Sequence, residues 1–162
     1  MNVGINSIRV RALELKIPPP VVAILIATAM WGVSSHQPSL SLAPEIRQFL
    51  PAALAILGVT FDLLGLLAFR RSGTTINPMK PSKASTLVTD GVYQVTRNPM
   101  YVGLALLLTA WAVHLSMFWP LVGPMLFVIY INRFQIGPEE RVMRSKFGEE
   151  YTAYAARVRR WL

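Results

Sequence analysis

One aspartate stands alone in a long apolar stretch: Asp62 is the only charged residue between Gln48 and Phe69. Ala55, Gly58, Asp62 and Gly65 follow three- and four-residue steps and so share one helix face. Small residues at that spacing let a second helix approach closely. An ionisable group in such a place is a functional candidate by default; the competing reading is a hydrogen-bond acceptor that only fixes packing. A second group, Arg97, Asn98 and Pro99, forms a basic turn in front of an apolar run within GVYQVTRNPMYVG, residues 91–103. A third is the pair Glu139 and Glu140, placed after Gly137 and Pro138 at what reads as the start of a helix, where acids suit the dipole. Glu140 and Arg144 are spaced for an i,i+4 ion pair. Gly148 ends that helix, and a further helix carries Tyr151, Tyr154, Val158 and Trp161 on one stripe with Arg157 and Arg160 beside it. An amphipathic interfacial helix explains the stripe, but it explains two adjacent acids less well. The chain has no cysteine, so neither a disulfide framework nor a thiolate metal site is available, and no metal is expected. His36 and His114 read as packing or interfacial residues.

The elements that must position these groups are membrane helices. Hydrophobic residues make up 53% of the 162 and charged ones 15%, against roughly 25% charged in a soluble domain. The charges are also segregated, with none between Lys16 and Glu45 and none from Asn98 to Asn132. A spanning helix needs about 20 mostly apolar residues, and each gap supplies them. The N-terminal apolar run has no clean small-x-small cleavage site and is followed by more spans, so it is read as structure rather than a signal peptide. The gap from Asn98 to Asn132 would make one helix of ~52 Å, too long for a single crossing, and Pro120, Gly123 and Pro124 break it. Lys and Arg number three in the N-terminal arm, one in the first loop (Arg47), five from Arg70 to Arg97 and seven from Arg133 onward. A single third span would put the two richest basic segments on opposite sides, against the positive-inside bias. A hairpin of two short helices places both termini and the central loop in the cytoplasm.

The sequence therefore predicts an all-α, polytopic membrane protein. Its four helices run over about 21–34, 49–69, 99–115 and 120–134, with cytoplasmic amphipathic helices at the C-terminus and one domain over 1–162. The net charge of +8 follows from cytoplasmic loops that face anionic lipid. No nucleic-acid module is visible, so nucleic acid is not an expected partner. Asp62 lies roughly 11 Å below the cytoplasmic end of its helix, where it would reach the floor of a cavity open to that side.

The two blocks, GVYQVTRNPMYVG and PEERVMRSKFGEEYTAYAARVRRW, resemble the C-terminal core of the isoprenylcysteine carboxyl methyltransferase and phospholipid methyltransferase superfamily. That core reads G-x-Y-x-x-x-R-H-P-x-Y-x-G, a helical hairpin, then E-E-x-x-L-x-x-x-F-G-x-x-Y-x-x-Y. The match runs over about 87–161. Gly91, Tyr93, Arg97, Pro99, Tyr101 and Gly103 fall on the first block, and Glu139, Glu140, Phe147, Gly148, Tyr151 and Tyr154 on the second. The resemblance implies a cytoplasmic S-adenosylmethionine pocket and a lipophilic acceptor, in a bacterial inner-membrane protein. It assigns the cofactor to Tyr93, Arg97, Asn98, Pro99, Tyr101, Gly103, Glu139, Glu140, Tyr151 and Tyr154. Carboxylates suit the ammonium or ribose, Arg97 suits the carboxylate, and tyrosine faces suit adenine or the sulfonium.

One position departs from the pattern. The family histidine of the turn is Asn98 here, which hydrogen-bonds but takes no proton near neutral pH. A thiolate or carboxylate acceptor needs no base, whereas an amine or alcohol does. The catalytic candidates are then Asn98, to orient the cofactor, and Asp62, with Glu139 or Glu140 as further carboxylates. Two other classes stay open: an NADPH-dependent membrane reductase of the sterol-reductase type, and a non-enzymatic lipid-binding or transport subunit. No Gly-rich dinucleotide turn favours the former.

Overall fold

A computed structural model of the chain describes residues 14–34, 43–73 and 79–162; His36 lies outside them. Every regular element among the described residues is helical. Helix α1 is Pro19–Ser34, α2 is Pro44–Arg71, α3 is Pro99–Leu115, α4 is Val122–Ile131 and α5 is Gly137–Arg157. Short 3-10 turns lie at Pro81–Lys83, Gly91–Gln94 and Trp119–Leu121, and a π turn at Asn132–Ile136 joins α4 to α5.

Prolines start three of these helices, because a first-turn proline lacks only an N–H that has no helical partner anyway. Pro44 explains why α2 begins five residues before the expected 49: Glu45 in its first turn suits the dipole, so the charges near Arg47 are helical and not part of a loop. Pro99 starts α3 immediately after Asn98. After α3, Ser116 adopts a left-handed conformation (φ 51°), and the chain turns through Trp119–Leu121 into α4.

The helix start expected at Gly137 and Pro138 is found there, but the π turn directly ahead of it leaves no gap between α4 and α5. Both residues sit in a continuous helical run, and the wider π turn ahead of them accommodates a proline that would otherwise clash with the carbonyl four residues back. A break comes at Gly148 (φ 52°, ψ −121°), a conformation that glycine adopts at little cost. The stripe expected through Trp161 is also shorter than its spacing suggests. The last helix ends at Arg157, Val158 is extended, and residues 158–162 turn back towards the loop before α3.

Helices α1, α3 and α4 share a core of Val22, Ala23, Met30, Leu108, Ala112, Phe127 and Ile131, which Tyr101 and Ile136 extend towards the loop side. The indole Nε1 of Trp111 donates to the Ala27 carbonyl at 3.1 Å, tying α3 to α1, and His114 stacks on the same ring. Helix α2 lies along α3 through the small-residue face read from the sequence. A methyl on Gly58 would meet the Gly103 carbonyl at 2.9 Å, and one on Gly65 would meet Met100 at 2.9 Å.

The outer surface is apolar. Ile24, Leu25 and Trp31 of α1, Ile56 and Leu63 of α2, and Met125 and Ile129 of α4 are all more than half exposed. Helix α2, with 28 residues and a mean hydropathy of 2.2 over its best window, is long and apolar enough to cross a membrane. Helices α1 and α3 are apolar but shorter.

Candidate active site

The site is assembled where the loop before α3, the start of α3, the first and last turns of α5 and the C-terminal segment converge. Gly91 (φ 61°) opens the 3-10 turn that presents Tyr93. Phe69 at the end of α2 meets the Tyr93 ring edge-on at 5.5 Å, and the Tyr154 hydroxyl donates to the Tyr93 carbonyl at 2.7 Å. From the other side, Lys146 donates to the Ser82 carbonyl at 2.7 Å. Two segments far apart in sequence are thereby held face to face.

Arg97 and the tail lock this arrangement. The Arg97 backbone N–H donates to the Arg159 carbonyl at 2.9 Å, and Thr96 Oγ1 and Asn98 Nδ2 both donate to the Arg160 carbonyl, at 3.1 and 2.9 Å. The guanidinium of Arg97 gives Nη1 to the carbonyls of Ala155 and Val158 and Nη2 to Glu140. Its Nε is buried with no partner among the described residues. Glu140 also receives a two-pronged contact from Arg160, at 3.0 Å from Nε and 2.6 Å from Nη2. The expected pair with Arg144 is therefore not made; Glu140 turns to Arg97 and Arg160. Burial alone would raise its carboxyl, but the hydrogen bonds and charges of Arg160 and Arg97 outweigh it and hold the value below the ordinary one.

Glu139 has the opposite environment. Its Oε1 accepts from the Tyr101 hydroxyl at 2.7 Å and from Gln135 Nε2 at 2.5 Å, and no arginine among the described residues pairs with it. Burial pushes its pKa up to about 7, with the two hydrogen bonds opposing and Glu140 adding to the rise. In the unfolded chain the same carboxyl loses its proton near 4.5. Stability from this group is thus fully present below that value and is lost as pH rises to about 7. Two adjacent carboxylates therefore sit in different environments: Glu140 is paired with two arginines, whereas Glu139 is held by neutral donors. Burial likewise keeps Tyr93 and Tyr154 protonated.

A cavity opens between these groups. Tyr93, Arg97, Asn98, Pro99, Tyr101, Glu139, Glu140, Tyr151 and Tyr154 all line it, with Phe69, Leu87, Val88 and Met143 completing an apolar wall. Nine of the ten residues that the resemblance assigned to the cofactor therefore face one space. Gly103 and Asp62 do not line it. They form the α2–α3 crossing deeper in the bundle, where a methyl on Gly103 would run into the Asp62 carboxylate and the Gly58 carbonyl. Sequence reasoning missed two partners. Gln135 lies four residues before Glu139, a spacing that signals a shared helix face. Arg160 looked like one basic residue among several, and only the fold reveals that it grips Glu140.

The sequence profile of the phospholipid methyltransferase family matches residues 46–150, well over half of the chain. This chain belongs to that family. The match takes in the Arg97–Gly103 turn and both glutamates, and stops just short of Tyr151. An uncharacterized protein of Haemophilus influenzae is 46% identical over 63 residues, 39% of this chain and all of that protein. Protein-S-isoprenylcysteine O-methyltransferase B of Arabidopsis thaliana is 30% identical over 109 residues, 65% of this chain and 53% of the plant enzyme. A probable protein-S-isoprenylcysteine O-methyltransferase of Oryza sativa is 28% identical over 137 residues, 79% of this chain and 70% of that protein. This family member spans about half the length of the Arabidopsis enzyme. No solved structure matches it.

Proposed function

We propose that this family member transfers a methyl group from S-adenosylmethionine to a lipophilic acceptor at the cytoplasmic face of a membrane. The observation that carries the reading is the single cavity onto which both sequence blocks converge, with Glu139 half-buried, hydrogen-bonded and paired with no cation among the described residues. The residues suit the donor. Glu139 offers a carboxylate to a positive group, Arg97 keeps one buried N–H free at Nε, and Tyr93, Tyr151 and Tyr154 offer aromatic faces for a base or a sulfonium. When bound, the donor supplies an electrophilic methyl group. The chain's own contribution is binding, alignment and exclusion of water. Asn98 acts through the tail: its Nδ2 holds the Arg160 carbonyl, and Arg160 in turn holds Glu140.

With Glu139 engaged by the donor's positive group, an acceptor that needs no base, such as a thiolate or carboxylate, fits this reading best. Asp62 belongs in this reading to the helix crossing that sets the depth of α3 against α2. The apolar outer surface of α1, α2 and α4 and the basic loop and tail support four spans with both termini in the cytoplasm, α3 and α4 forming the short hairpin.

The test is a methyl-transfer assay on the purified protein with radiolabelled donor and a panel of lipophilic thiols, carboxylates and amines. Label is expected in the solvent-extractable product for at least one class. Asn98→Ala should lower the rate by about tenfold, the loss of one positioning hydrogen bond of ~1.4 kcal/mol, and Asn98→His should retain most of it. No label with any class, together with oxidation of NADPH, would replace this reading by a reductase.

A further inference from the structure

A second concavity lies away from the cavity and shares no residue with it. It runs along the outer side of α1 and α4, lined by Ile17, Val22, Leu25, Ile26, Leu126, Ile129, Tyr130 and Phe134, with a volume of about 430 Å³, the space of roughly a dozen water-sized groups. Its walls are almost entirely hydrocarbon and aromatic, and Leu25, Leu126 and Ile129 are more than half exposed along it. It is a slot for an apolar chain.

Charge is concentrated at one end of this slot. The Leu15 N–H donates to the Phe134 carbonyl at 3.0 Å, which brings Lys16 beside the π turn. Glu14 accepts from Arg133 at 2.9 Å and also from Arg141. The Arg133 guanidinium lies 5.5 Å from the Phe134 ring centroid, within cation–π range. Two arginines therefore meet one carboxylate at the mouth of an apolar slot, and Lys16 follows Leu15 in the chain beside them. Glu14 is mostly buried, while Arg133 and Arg141 remain about half exposed, so the outward-facing charge is positive. A ligand that satisfies both parts has a long hydrocarbon chain and an anionic head.

We propose that this groove binds an anionic diacyl phospholipid of the cytoplasmic leaflet, one acyl chain lying in the slot between α1 and α4 and the headgroup phosphate held by Lys16, Arg133 and Arg141. The proposal rests on the membrane placement given above. Arginine's planar donors suit a phosphate, and a basic residue near an anionic surface is worth ~1 kcal/mol, so three cations provide preference rather than irreversible capture. The π turn carries Phe134 outward to this groove and Gln135 inward to Glu139, so the lipid would press on the element that orients the site's free carboxylate.

Native mass spectrometry of the delipidated protein in detergent, with dioleoylphosphatidylglycerol or dioleoylphosphatidylcholine added, tests this. One phosphatidylglycerol per chain is expected to persist at energies that strip phosphatidylcholine. Ile129→Trp, which fills the slot, and the double variant Lys16→Gln with Arg141→Gln should each lower the retained fraction at least tenfold. If the tryptophan variant does not fold, the charge variant decides alone. Equal retention of the two lipids, or undiminished phosphatidylglycerol in the variants, overturns the site. Protein that stays in solution without detergent would overturn the membrane placement as well, whereas detergent-dependent protein with no lipid preference overturns the lipid site only.

Discussion

Arg97→Ala is expected to melt the site before anything else in the molecule. Arg97 joins the Ala155 and Val158 carbonyls to Glu140, and its backbone N–H holds the Arg159 carbonyl. Alanine keeps only the last of these. Two helix-end carbonyls lose their donor, and Glu140 is left with Arg160 alone. Breaking a buried ion pair costs 3–5 kcal/mol; here Arg160 still compensates Glu140, so about 3 kcal/mol is the expected loss. For a chain of this size that corresponds to roughly 6–12 °C in Tm. Arg97→Lys should fare little better, because one ammonium cannot reproduce a planar fork that reaches two carbonyls and a carboxylate at once. Thermal melts of the wild type and both variants in the same detergent check this. A lysine variant as stable as the wild type would mean that charge alone, and not the fork, holds the tail.

The second large effect is expected deeper in the bundle. At Gly103 a methyl group would be driven into the Asp62 carboxylate and the Gly58 carbonyl. One of those obstacles is backbone, which cannot swing aside as a side chain can. In Gly103→Ala the two helices must separate, at a cost of 1–3 kcal/mol or more by the usual measure of overpacking. Because α3 starts at Pro99 on the wall of the cavity, the displacement reaches the site, and activity should fall with stability. Combining Gly103→Ala with Asp62→Ala removes the carboxylate but not the Gly58 carbonyl, so the double variant should recover only part of the loss. Melting and methyl-transfer rates for the three variants test this. Unchanged stability in Gly103→Ala would show that α2 and α3 do not cross as closely as described.

How much of this was legible in the sequence follows from the range of the forces involved. The proline start of α3, the glycine at 148 and the small-residue face of α2 depend on local stereochemistry and could be read directly. The cavity residues could be named because two blocks of spacing survive intact, although neither block says which atoms meet. The π turn was not legible. A proline after a glycine serves equally well to start a helix or to sit within a widened one, and only packing against Tyr101 and the core decides. The tail was misread for a related reason: Tyr151, Tyr154, Val158 and Trp161 keep helical spacing, but the loop at 96–98 claims the carbonyls of Arg159 and Arg160 and draws the chain out of the helix. Glu140 had a suitable partner four residues along in Arg144, and lost it to two arginines that no local rule could bring near.

The central claim, that Glu139 is the carboxylate left free for a cationic methyl donor, is tested most directly by calorimetric titration with S-adenosylmethionine across a range of pH. Wild-type affinity should strengthen as pH rises towards about 7, where Glu139 loses its proton, by up to about tenfold per unit below that value, and then level off. Glu139→Gln should bind weakly throughout, and the difference between the two proteins isolates the titration of this one group from that of the ligand. Parallel pH profiles for the two proteins, or no binding by the wild type alongside tight binding of NADPH, would contradict it.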